Sequence, residues 1–93
     1  MKLAEAIGTI PIAALKGAIL SYGEDGEYSE MGYLGDITLD LNNMILIVDL
    51  IDFNDHKSRS GLNMNDILSS DKYKIHLNGS SLDFTACDKD DFV

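Results

Sequence analysis

Ninety-three residues carry sixteen Asp and Glu against seven Lys and Arg, a formal net charge of -9. Such a field repels nucleic-acid phosphates and anionic membrane surfaces and attracts basic proteins, so nucleic-acid and membrane partners are disfavoured. The 45% apolar content supports a single domain over residues 1–93, although a chain this short buries only about two-thirds of its unfolded surface. One cysteine, Cys87, leaves no internal disulfide, which places the expected setting in the reducing cytoplasm.

The N-terminal apolar stretch to Leu20 is interrupted by Glu5, Pro11 and Lys16, so it reads as core and not as a signal peptide or bilayer span. Lys2 to Ile7 suits a short turn of helix. Ile12, Leu15, Ile19 and Tyr22 then recur at three- and four-residue steps, predicting an amphipathic helix over about 10–22. Thr9 would cap it, Pro11 would fill its first turn and Gly23 would stop it.

Gly23, Gly26, Gly32 and Gly35 punctuate an acidic segment that reads as a loop. Ile37, Leu39 and Leu41 next alternate with polar residues up to Asn42-Asn43, predicting a hairpin over about 36–53. Its register would set Leu41 opposite Met44, Leu39 opposite Leu46 and Ile37 opposite Val48. Met44 to Val48 is apolar on both faces, as in a central or covered strand, and that leaves a homodimer open. Asp55 to Gly61 reads as a polar loop. A short helix over about 65–70, capped by Asn65, leads to a second hairpin over about 72–87 through Asn78-Gly79. The fold class is therefore α+β: a four-stranded antiparallel sheet from two hairpins, with the 10–22 helix on one face.

Catalytic raw material is scarce. His76 falls inside a strand, while His56 lies in the basic run Asp55-His56-Lys57-Ser58-Arg59, which lacks the glycine pattern of a phosphate loop. Asp49 and Asp52 are an odd number of positions apart and point to opposite strand faces, which argues against a metal set with Asp55 and His56. Glu24-Asp25-Gly26-Glu27 with Glu30 lacks calcium-loop spacing. Neither an enzyme nor a cofactor is expected.

The composition points instead to a small acidic protein-binding module. Its most specific form is a cytoplasmic inhibitor or immunity protein that neutralises a basic toxin or nuclease. Glu24, Asp25, Glu27 and Glu30 are the expected contacts, with Asp36 and the acidic tail assisting. The alternatives are a phage or mobile-element decoy that blocks a defence enzyme by charge mimicry, and a homo-oligomeric structural subunit.

Overall fold

The computed structural model describes residues 1–69 and 71–77. Its architecture is α+β around one antiparallel sheet of five strands, in the order β4-β3-β2-β1-β5. The strands are β1 (Ile19–Glu24), β2 (Glu27–Asp40), β3 (Ile45–Ile51), β4 (Lys57–Asn63) and β5 (Tyr73–His76). Two short helices, α1 (Leu3–Thr9) and α2 (Met64–Ser69), and a 3-10 turn (Ile12–Leu15) supply the rest.

The helix expected over 10–22 does not form, and local chemistry explains why. Pro11 disfavours a helical conformation at the residue before it, and Ile10 is extended at φ -119 and ψ 133, so α1 ends at Thr9. After the 3-10 turn, Gly17 adopts φ 89, which no continuing right-handed helix tolerates. The chain then extends: Gly17 N–H donates to the Leu34 carbonyl at 2.7 Å, and Leu34 N–H donates to the Ala18 carbonyl at 2.8 Å. The helical spacing of Ile12, Leu15, Ile19 and Tyr22 was coincidental, because Ile19 and Tyr22 stand three positions apart in one strand and face opposite sides of the sheet. Thr9 does not cap a second helix; its hydroxyl donates back to the Glu5 carbonyl at 2.6 Å.

The segment read as an acidic loop is the hairpin joining β1 to β2. Asp25 (φ 55) and Gly26 (φ 84) form a two-residue turn with both residues in the left-handed region, the geometry that matches the strands' twist. Gly23 is a strand residue, not a helix stop. Farther along, the register shifts between Leu20 and Ser21, which sit opposite Gly32 and Glu30, so Met31 is the extra residue of a bulge. Gly32 there has φ 145, and a Cβ on it would lie 2.5 Å from the Ile51 carbonyl oxygen. Only glycine fits that crossing.

The β2–β3 hairpin has the expected register for Ile37 opposite Val48 and Leu39 opposite Leu46. The turn is longer than expected, because Asp40 pairs with Ile45 and Met44 takes φ 53. Leu41 and Met44 are thus turn residues, not a cross-strand pair. Asp40 explains the four-residue turn: its carboxylate accepts from Asn43 N–H at 3.3 Å and from the Asn43 side-chain amide at 2.8 Å.

Two further expectations change. Lys57 to Gly61 lie in β4, which pairs with β3 along its whole length, because Asp52 organises a tight connection before it. The Asp52 carboxylate accepts backbone N–H bonds from Asn54 and His56, each at 2.9 Å. α2 forms where expected, but Asn63, not Asn65, caps it, accepting from Asn65 N–H at 2.8 Å. β5 pairs with β1, which was not anticipated as a strand, and on its other edge Ile75 N–H donates to the Met1 carbonyl at 2.8 Å. Among the described residues the sheet therefore has five strands where four were expected. The expected Asn78-Gly79 turn and return strand Leu82 to Ala86, with Cys87 and the acidic tail, lie outside the described residues.

The core lies between one sheet face and the helical elements. Leu3 and Ala6 of α1, Leu15 of the 3-10 turn and Ile67 of α2 close over Leu20, Leu34, Leu46 and Val48. Each such large aliphatic side chain contributes roughly 1.5–3 kcal/mol by leaving water. β3 is an interior strand between β4 and β2 and is apolar on both faces, as its composition requires: Leu46 and Val48 are buried on the helical side, Ile51 on the other. Asp49, 5% exposed, also lies on that second side, where Arg59 Nε of the neighbouring strand donates to its carboxylate at 2.7 Å.

Candidate functional site

The tight turn at Asp25-Gly26 brings Glu24, Asp25 and Glu27 together at the tip of the β1–β2 hairpin. Glu24 and Glu27 are direct cross-strand partners. Like charges placed opposite one another in a sheet are destabilising, so this arrangement costs stability that the fold must supply from elsewhere.

The tip is clamped onto the connection between α2 and β5. The Tyr28 hydroxyl donates to the Asp71 carbonyl at 2.7 Å, and Gly23 N–H donates to the Lys72 carbonyl at 2.9 Å. Lys72 Nζ reaches Glu24 at 3.3 Å. The Lys74 ammonium lies 4.2 Å from the centroid of the Tyr28 ring, and the rings of Tyr22 and Tyr73 pack 5.1 Å apart. Between tip and connection runs an open groove of about 410 Å³, lined by Gly23, Glu24, Asp25, Tyr28, Asp71 and Lys72. The carboxylates are therefore presented on an anchored hairpin and not on a long loop.

Electrostatics at the tip are graded. The hydrogen bond to Glu24, with its negative charge, holds Lys72 above its ordinary value of 10.5, and Asp71 raises Lys2 in the same two ways across 3.1 Å. Burial is the main reason that Tyr73 also titrates above its ordinary value. Asp25, Glu27 and Glu30 make no ion pair with any described residue. Glu30, opposite Ser21, projects from the sheet face opposite Glu27.

Asp36 does not join them. It lies in the irregular stretch between Leu34 and Ile37, nine strand positions beyond Glu27 and so up to about 30 Å away. There it pairs with Lys16 Nζ at 3.3 Å. Asp49, Asp52 and His56 do not converge either: Asp49 is held by Arg59, while Asp52 and the His56 backbone close a turn. Among the described residues no group of three or more His, Cys, Asp or Glu could hold a metal ion, and no helix is long and apolar enough to cross a membrane. His76 is an exposed residue of β5.

Tyr28, Asp71 and Lys72 were not anticipated as parts of the site. The signal for the hairpin was present in Asp25-Gly26, one of the strongest two-residue turn sequences, but the clamp depends on a segment more than forty residues away. Compared with known families, curated proteins and solved structures, the chain matches none.

Proposed function

We propose that this chain is a non-enzymatic protein-binding module whose β1–β2 hairpin tip engages a basic protein surface, in the manner of a cytoplasmic inhibitor that neutralises a basic toxin or nuclease. The observation that supports this reading most is the clamped tip itself. It holds Glu24 opposite Glu27 beside Asp25, against their mutual repulsion, on an element fixed at five points to the rest of the fold. Carboxylates ordered before binding lose little freedom when a cationic partner arrives, which favours affinity, and their field speeds encounter.

A charge-mimicking decoy needs carboxylates spread along a surface like phosphates. Here Lys2, Lys16, Arg59 and Lys72 are interleaved with Asp71, Asp36, Asp49 and Glu24, which counts against an extended mimic; the pairs of Lys2 and Lys72 lie at the tip, so the negative charge of the patch rests on Asp25 and Glu27. Titration against a basic toxin or nuclease encoded beside this chain, at low salt, tests the reading. Binding weakened about tenfold or more by Asp25→Lys with Glu27→Lys supports it. Absence of binding, or binding indifferent to those changes, rejects it.

A further inference from the structure

The sheet face turned away from the helices is buried at one end and not at the other. Ile19 opposes Tyr33, Tyr33 opposes Ile51 and Ile51 opposes Lys57, so these side chains form one row on that face. Ile19 is 8% exposed and Ile51 4%, yet both stand outside the hydrophobic cluster that Leu3, Ala6, Leu15 and Ile67 close. Ile45 and Ile47, on the same face of β3 but farther along it, are only half-buried. Neighbours within the sheet therefore do not suffice to bury an isoleucine here, and a layer must lie over the Ile19–Ile51 end. Phe53 supplies part of it, its ring 5.3 Å from that of Tyr33, but Phe53 is itself 53% exposed.

The path of the chain identifies the cover. His76, the last residue of β5, pairs with Ile19, so the chain passes into residues 78–93 beside the buried end of this face. The outer edge of β5 is closed to those residues at Ile75, whose N–H donates to the Met1 carbonyl at 2.8 Å while Lys2 bridges to Lys74. The face itself is within reach. Five strands span about 19 Å at the usual spacing, which an extended chain crosses in about six residues. Leu82, Phe84 and Ala86 occupy alternate positions, which in an extended segment gives one apolar side. We propose that residues 82–86 run across this face, with Leu82, Phe84 and Ala86 against the row of Ile19, Tyr33 and Ile51. The face is then filled from within the chain and is not offered to a partner. The inference is independent of the hairpin-tip reading, which concerns the other end of β1.

Nuclear Overhauser contacts in the full chain test this directly. The Phe84 ring should contact the Ile19 and Ile51 methyls. Phe84→Ser should remove those contacts and shift both methyls, while the Leu3 and Leu62 methyls on the helical side keep their positions. A nitroxide on Cys87, the sole cysteine, reads the same placement without altering the core: it should broaden Ile47 and Ile51 more strongly than Leu3 and Ile67. Contacts from Phe84 to α1 or α2, contacts to no residue of the sheet, or stronger broadening on the helical side overturn the inference. Contacts that appear only between differently labelled molecules in a mixed sample also overturn it and assign the row to a second copy.

Discussion

At its start β2 carries Glu27 and Glu30 beside Asp25, clamped by Tyr28 and Lys72; at its end it carries Leu39 and Leu41 beside Met44, left exposed. Both ends are hairpin turns, yet the first is a two-residue turn made possible by glycine, and the second is a four-residue turn held by Asp40 and Asn43. One strand thus supports an electrostatic surface and an apolar one. The difference teaches that net charge alone describes neither end: at the tip Lys72 matches Glu24 while Asp25 and Glu27 make no ion pair with a described residue, and at the far end Leu39 and Leu41 are left uncovered.

Leu34, fully buried in β2 opposite Leu50, ties the two ends to one core. Leu34→Ala should cost about 3 kcal/mol, and both hairpins should lose amide-exchange protection together. Loss at one end only would mean that the two surfaces unfold independently.

The Asp49–Arg59 pair distinguishes burial from charge, because Asp49 is buried and the Arg59 side chain is 42% exposed. Removing the arginine strands a buried carboxylate, whereas removing the carboxylate leaves an arginine that can reach water. Arg59→Met should therefore cost roughly 2–4 kcal/mol in denaturant unfolding, and Asp49→Asn about 1 kcal/mol. Equal costs would contradict the asymmetry.

Gly32 and Gly26 compare the bulge with the tip. An added Cβ at Gly32 meets the Ile51 carbonyl, but one at Gly26 meets open space. Gly32→Ala should cost about 2 kcal/mol or more, and Gly26→Ala about 1 kcal/mol from its positive φ alone. The smallest mutational effect should be a gain: Glu27→Thr removes repulsion from Glu24 and should stabilise the fold by about 0.5 kcal/mol while weakening capture of a cationic probe.

The ends should also part company with pH. Lys72 is raised by Glu24 in the folded state, so its contribution is complete below its ordinary value of 10.5 and is lost as pH climbs through the higher folded value. Asp40 is lowered by Asn43, so its contribution is complete above its ordinary value of 3.8 and is lost as pH falls through the lower folded value. NMR should show the Lys72 clamp loosening in alkali and the Leu41–Met44 turn loosening in acid.

How much of this was legible in the sequence depends on the range over which each element is determined. The β2–β3 register could be read because alternation over Ile37 to Leu41 and the apolar return strand determine it locally. α2 was legible through its acidic first turn at Asp66, although the cap is Asn63 and not the Asn65 that the sequence offered. β1 was not, because Ile12, Leu15, Ile19 and Tyr22 satisfy a helical period by chance, while Pro11 and Gly17 break the helix in ways that spacing does not register. The acidic residues of the candidate site were proposed from composition, but their arrangement depends on pairing between β1 and β5, whose residues are more than fifty positions apart. Asp36 was grouped with them by charge and separated from them by the length of a strand.

The central claim is that carboxylates form a local patch at the clamped tip. The most direct measurement follows backbone amide shifts of the full chain during titration with a lysine-only peptide, at low ionic strength and again at about 1 M salt, where charges farther apart than about 3 Å are screened. Shifts concentrated in Glu24–Glu30 and Asp71–Lys72 at low salt, and absent at high salt, are the predicted result. Shifts distributed over the whole surface, or strongest around Asp36 and Asp40, would contradict it.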